Sequence, residues 1–186
     1  RSSGYFDPTK FDLIIGGQVG FPARQREIEQ HSSNHTTIAL APYFGSIESR
    51  ANDEQLFYPL FAGPLHEAHD GYVKQAVDYV RAEGKNTRIA VYEINFHTTD
   101  GIAPLDVRND FVTSAAGAIA LPLSMLVYQR DLGARYQCAF TVLQYSWQML
   151  DGDYVRLWGL LRDLNATGRK RPTWLGMELV NKVIRG

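Results

Sequence analysis

An α/β fold with a parallel sheet is the class this sequence predicts, and three observations carry it. The chain of 186 residues is 45% hydrophobic and 21% charged, the balance of a folded, soluble domain with a sizeable core. Four times an apolar, strand-like run ends in a Gly, Pro or polar turn. Most of those turns lead into a stretch with helical periodicity, which is the rhythm of βα units.

The first run, FDLIIGGQ (Phe11 to Gln18), precedes PARQREIEQHSS, whose charges suit an exposed helix. The second, TTIALAPYFG (Thr36 to Gly45), precedes a long polar loop and then EAHDGYVKQAVDYVRAEGK. Here Tyr72, Val73, Ala76, Val77 and Val80 recur at helical spacing, and Gly84 stops the helix. The third run, RIAVYEINFH, leads into VRNDFVTSAAGAIALPLSMLVYQRDLG, a helix that Pro122 is expected to kink or divide. The fourth, YQCAFTVLQYSW (Tyr136 to Trp147), is followed by a hairpin-like segment at about residues 148–168. A last helix opens with Pro172 in its first turn and carries Trp174, Leu175, Leu179, Val180, Val183 and Ile184. All four units belong to a single domain spanning residues 1–186, without internal repeats.

A net charge of −1 without a basic stripe gives no reason to expect nucleic acid or an acidic membrane as partner. No run approaches ~18 apolar residues and the N-terminus has no leader pattern, so neither a membrane span nor a signal peptide is expected. The single cysteine, Cys138, lies in an apolar stretch and reads as a buried, inert thiol. Two glycosylation triplets, at Asn34 and Asn165, matter only in a secreted eukaryotic protein, so the compartment stays open. His66 and His69 stand three apart with no third ligand near in sequence, and read as a solvated helix start rather than a metal pair. Gly16 and Gly17 lack the spacing of a dinucleotide fingerprint, and no nucleophile elbow is present; no cofactor or metal is expected.

One residue breaks the apolar logic: Glu93, inside VYEINFH. A buried carboxylate is costly unless paired, hydrogen-bonded or protonated, so its placement asks for a partner or a use. Simple alternation sets Val91, Glu93 and Asn95 on one face of the strand and Tyr92, Ile94 and Phe96 on the other. Ligands of parallel βα proteins collect beyond the carboxyl ends of the strands. Glu93, Tyr43, Gln18 and Trp147 all fall late in their runs or just past them, so one cleft can gather them. Glu93 is then a nucleophile or base at a strand end; the competing reading is a buried structural glutamate held by an arginine or by backbone donors. His97, Gln18, Tyr145 and Trp147 are candidates for contacting a sugar through ring faces or polar groups, whereas Trp158 in RLWGLL reads as core packing.

These segments resemble the C-terminal half of the clan A retaining glycoside hydrolases, whose catalytic domain is a TIM, or (β/α)8, barrel. VYEINFHTTDG resembles the seventh strand, whose terminal glutamate is the nucleophile, so the resemblance implies that role for Glu93. TIALAPYFG is similar to the sixth strand and implies that Tyr43 orients the nucleophile. AFTVLQYSW is similar to the eighth, and implies a sugar-lining role for Trp147. The tail, from VRLWGLL through the Arg-Pro-Thr turn to the last helix, resembles the closing segment. Ala41 stands where many families carry a histidine, and the Asn-Glu pair of the acid/base strand occurs nowhere in the chain.

Retaining hydrolysis needs two carboxyl groups roughly 5–5.5 Å apart, and a complete barrel takes about 250 residues. The resemblance therefore implies a half-barrel of strands five to eight that carries the nucleophile of a glycosidase but lacks the acid/base residue. Its open edges then call for a missing N-terminal half or a second copy of the chain, besides a carbohydrate substrate. The alternative is a non-catalytic carbohydrate-binding or assembly module of the same α/β fold.

Overall fold

The computed structural model describes residues 4–5, 7, 9–45, 53–99, 103–143, 146–162 and 168–184. Four parallel strands, β1 (Ile14–Gly16), β2 (Thr37–Leu40), β3 (Arg88–Ile94) and β4 (Ala134–Ala139), lie side by side in chain order. Helices fill the connections: α1 (Arg24–His31) after β1, α2 (Asp53–His69) and α3 (Tyr72–Ala82) after β2, α4 (Leu105–Val112) and α5 (Ala115–Leu132) after β3. Beyond β4 come a separate antiparallel hairpin, β5 (Ser146–Gln148) with β6 (Tyr154–Arg156), and α6 (Pro172–Val183). The fold is thus α/β, with a parallel sheet whose strands alternate with helices.

The helices cover one face of the sheet. Ile38, Leu40, Ile89 and Val91 form one core with Leu60 of α2, Val73, Val77 and Val80 of α3, and Leu121, Val127, Tyr128 and Leu132 of α5. The opposite face is bare: Ile14, Tyr92 and Tyr136 are 53%, 50% and 42% exposed, although parallel sheets usually have both faces covered. At the amino ends of the strands that bare face is polar, because Asp12 accepts hydrogen bonds from Arg88, Thr36 and Tyr136 and so ties the strands together. Nearby, the buried Glu29 meets the ring of His35 at 3.0 Å, and the Lys85 ammonium donates to the Glu29 carbonyl.

Several boundaries differ from the sequence expectations, each for a local reason. The polar loop expected after the second run contains α2, a helix with Pro59 and Pro64 inside it. Each proline costs that helix an i→i−4 bond, yet Leu60, Pro64 and Ala68 form a buried stripe at four-residue spacing that holds it together. His66 and His69 therefore end α2 rather than start a helix, and α3 is a separate element from Tyr72 on. The long helix after β3 divides at Thr113–Ser114, where the Ser114 hydroxyl caps α5 by accepting from Gly117 N, and not at Pro122, which is buried inside α5. The fourth strand ends at Ala139, so Trp147 sits on the hairpin instead of the sheet. Cys138 is exposed on β4, not buried, because that edge of the sheet has no neighbour beyond it among the described residues. No single helix among the described residues is long and apolar enough to cross a membrane; α4 and α5 meet the criterion only jointly, bent by 65°.

Pro122 has a different consequence. It has no N–H to offer the carbonyl of Ala118 four residues back. Helix α6 approaches that very carbonyl, and a Cβ built on Gly176 would lie only 1.9 Å from Ala118 O. The proline frees an acceptor and the glycine lets another backbone come close to it.

Gly176→Ala is therefore expected to push α6 off α5 and cost about 1–3 kcal/mol or more, read as a lowered Tm. Helix α6 also carries a charge cluster in which Lys170, Lys182 and the Trp174 indole all hold Glu178, lowering its pKa from an ordinary 4.5 to about 2. A carboxylate depressed in the folded state stabilises above its unfolded pKa and loses that contribution as pH falls through the folded one. Between about pH 4.5 and 2 the native chain should accordingly lose stability faster than Glu178→Gln, with a smaller difference at high salt.

Candidate functional site

The site is built at the carboxyl ends of β2 and β3. Past Leu40 the two chains stay paired: Phe44 N donates to Asn95 O at 3.2 Å, and His97 N to Phe44 O at 2.6 Å. The fully buried Phe96 clamps this extension from the helix side, edge-on to Phe44 at 5.2 Å and to Phe111 at 5.9 Å. Asn95, also buried, turns the other way, its side-chain amide donating to Phe140 O while Oδ1 accepts from Phe96 N. Its amide joins the end of β3 to the segment after β4.

The strand is out of phase with the simple alternation. Val91 pairs with Gln137 and Ile94 with Ala139, so Tyr92 and Glu93 together oppose the single residue Cys138. Two residues against one is a bulge, and it changes which face the following side chains take. Val91 keeps its place in the core, Ile94 and Phe96 join it three and five residues later, and Glu93 is displaced from it. The expected sets were Val91 with Glu93, and Tyr92 with Ile94. The bulge breaks both, leaving Tyr92 half exposed and Glu93 partly buried.

Glu93 meets no structural arginine among the described residues. The Tyr43 hydroxyl donates to Glu93 Oε1, and Oε2 has no hydrogen-bond partner among the described residues. The Tyr43 ring is packed against Trp158 at 5.5 Å, and Trp158 against Phe140 at 5.9 Å. Burial, followed by the hydrogen bond and the charge of Glu93, drives the Tyr43 pKa far above its usual 10, so the phenol stays a proton donor throughout the neutral range. The arrangement is a carboxylate with one oxygen held and the other open: a nucleophile, a base or an acceptor for a hydroxyl.

On its other side Tyr43 borders an open groove of about 770 Å³ between the end of β2 and α2, whose walls include Tyr58, Pro59, His66 and Glu67. Sequence reasoning missed Tyr58 and Pro59 because it read that stretch as a loop, and it read His66 only as part of a solvated helix start. It also gave the place beside Tyr43 to Trp147, whereas the structure puts Trp158 there. Trp147 faces outward from β5, 54% exposed and paired with Val155. His97 is exposed just past β3. Gln18, beyond β1, also has an exposed side chain, while its backbone is gripped by the buried amide of Gln25 at 2.6 and 3.2 Å. Tyr145 lies outside the described residues. No group of three or more His, Cys, Asp or Glu side chains is arranged to hold a metal among the described residues, and His69 instead contacts Asp131 at 2.9 Å.

Comparison of the chain with protein-family models, with curated proteins and with solved structures returns no match.

The phenol gives a direct measurement. A tyrosine whose folded pKa is raised stabilises the fold below its unfolded value and ceases to as pH climbs towards the folded one. In difference absorbance, wild type and Tyr43→Phe should release the same number of phenolate signals between pH 9 and 11, because Tyr43 does not ionise there while folded. Glu93→Gln removes a charge and its hydrogen bond and is expected to move the Tyr43 ionisation downward.

Proposed function

We propose that this chain is half of a TIM-barrel glycosidase, strands five to eight, and that it carries the nucleophile of a retaining mechanism. The observation that carries the reading is the hydrogen bond from Tyr43 to Glu93 at the carboxyl ends of adjacent parallel strands. It is supported by the sequential strand order, by the bare sheet face, and by the resemblance of TIALAPYFG and VYEINFH to the sixth and seventh strands, respectively, of the retaining glycoside hydrolases. Glu93 Oε2 attacks the anomeric carbon and displaces the leaving oxygen, giving a glycosyl ester that water then hydrolyses with net retention. Tyr43 aims the carboxylate, then relaxes its hold as negative charge leaves the attacking group. The acid/base carboxylate comes from outside this chain, from the complementary half-barrel or a second copy, which also covers Ile14, Tyr92 and Tyr136. Trp147, Tyr145, His97 and Gln18 are the candidates for contacting the sugar.

The chemistry suggests a test that does not depend on the missing acid. A dinitrophenyl leaving group departs without protonation, so a panel of 2-fluoro dinitrophenyl glycosides should trap the first intermediate. With the chain alone and with the chain extended upstream, a stoichiometric burst of dinitrophenolate and a glycosyl adduct on Glu93 are expected by mass spectrometry. A burst that persists in Glu93→Gln takes the nucleophile role away from this residue. The half-barrel has its own readout in Cys138, which stands opposite the bulge on the uncovered strand edge. Its thiol should react with a disulfide reagent in the chain alone, and become protected when the complementary half is supplied.

A further inference from the structure

A cleft of about 410 Å³ opens at the amino ends of β2 and β3, the opposite end of the sheet from Glu93. Its lining includes three side chains joined in a chain of hydrogen bonds. Ser32 Oγ lies 3.0 Å from His35 Nδ1, and His35 Nε2 lies 3.0 Å from Glu29 Oε1. Lys85 and Asn86, from the turn between α3 and β3, line the same cleft.

The local fold fixes all three. Glu29 stands in the last turn of α1 with its side chain fully buried, and the side chain of His35 is only 5% exposed. Ser32 is where the helix stops: its N–H still donates to Ile28 O at 2.9 Å, but its backbone is extended, with φ −125° and ψ 123°. Four residues on, Thr36 N donates to Leu13 O at 2.8 Å and the chain enters the sheet. The segment between is tied at both ends, which holds the hydroxyl and the ring in one geometry, and Ser32 is partly exposed on the cleft. Glu29 Oε2 is buried with no hydrogen-bond partner among the described residues, and the Lys85 ammonium donates to the backbone carbonyl of Glu29 rather than to its carboxyl group. A buried carboxyl group with so few partners is expensive as a purely structural element, so its placement asks for a use.

We infer that Ser32, His35 and Glu29 form a second catalytic site, an esterase-type triad that acts on short-chain carboxylic esters. Glu29 is the positioning residue: it accepts the Nε2 hydrogen and so fixes the tautomer whose lone pair, at Nδ1, faces the hydroxyl. The ring is used in the reverse sense to the serine proteases, where Nε2 faces the nucleophile, but the connectivity of nucleophile, base and orienting group is the same. Ser32 Oγ bonds to the ester carbonyl carbon while its proton passes to Nδ1. That proton goes to the departing alcohol oxygen as the C–O bond breaks, leaving an acyl-serine. Water, giving a proton to Nδ1, then attacks the acyl carbon; the carboxylic acid leaves and Oγ takes the proton back. Glu29 steadies the imidazolium formed in each half, and Lys85 is a cation within the cleft for the carbonyl oxygen as it becomes negative. Ser33, Thr36 and Thr87 make much of the remaining lining polar, which suits a small acyl group on a hydrophilic alcohol rather than a long hydrocarbon chain. The inference is independent of the role of Glu93.

The test is reaction of the folded chain with a fluorophosphonate probe, which an activated serine attacks at phosphorus with loss of fluoride, followed by peptide mapping by mass spectrometry. A stoichiometric adduct on Ser32 is the expected result, absent in Ser32→Ala and formed roughly a hundredfold or more slowly in His35→Gln and Glu29→Gln that still melt cooperatively. Hydrolysis of p-nitrophenyl acetate should fall in parallel. Ser32→Ala, at a partly exposed position, keeps the site testable if the two buried variants do not fold. No adduct on Ser32 in the folded wild type, an adduct that forms at an unchanged rate in folded His35→Gln or Glu29→Gln, or equal p-nitrophenyl acetate hydrolysis by wild type and Ser32→Ala overturns the triad and leaves a structural helix end. Faster turnover of p-nitrophenyl octanoate than of the acetate overturns the short-chain assignment.

Discussion

The bulge at Tyr92 and Glu93 is the constraint on which the rest of the molecule turns. Without it, the alternation set by Ile89 and Val91 would carry Glu93 into the helix-side core, where an unpaired carboxylate costs several kcal/mol. With two residues facing Cys138, Ile94 takes the core position and Glu93 is released towards Tyr43. The extra residue costs a ladder position; the buried Phe96 and the Asn95 amide then compel the strand to end in that register. One local irregularity therefore converts a buried hydrophobic strand into one that presents an acid at its tip.

The helical layer supplies the stiffness behind that tip. Phe96 is wedged between Phe44 and Phe111, and a side chain on Gly117 would touch its ring at 3.2 Å, so α5 packs directly against the end of β3. Helix α5 in turn is held by α6 at the Ala118 carbonyl, where the proline and the glycine meet. Close packing of this kind transmits displacement rather than absorbing it, because the interior has no free volume to give. The end of β3 that bears Glu93 thus rests on α5, and α5 on α6.

Charge is segregated along the molecule. At the amino ends of the strands Asp12 pairs with Arg88, and Glu29 meets the ring of His35 while Lys85 donates to its carbonyl, contacts that hold that end of the sheet together. At the carboxyl ends Glu93 is met, among the described residues, by a phenol instead of a cation, so the carboxylate is ordered without an ion pair. A group held in that way leaves potential available to something that binds.

The apolar runs, their turns and the helical stripes were enough to read the α/β class, the four strands and their order of helices, because hydrophobic periodicity is a local property of the chain. Glu93 and Tyr43 were legible for the same reason, as polar residues late in such runs. The face that Glu93 takes was not, since a bulge depends on the register of β4 against β3 and no periodicity within β3 encodes it. Helix α2 was hidden by Pro59 and Pro64, whose local penalty is outweighed only by burial of Leu60 and Ala68 against a distant helix. Trp147 was lost to the hairpin because the chain leaves the sheet at Ala139, whereas Trp158 packs against the core as its apolar sequence neighbours predict. What the sequence determined alone was where hydrophobic surface recurs; which side chains share a site was decided by pairing between segments far apart in the chain.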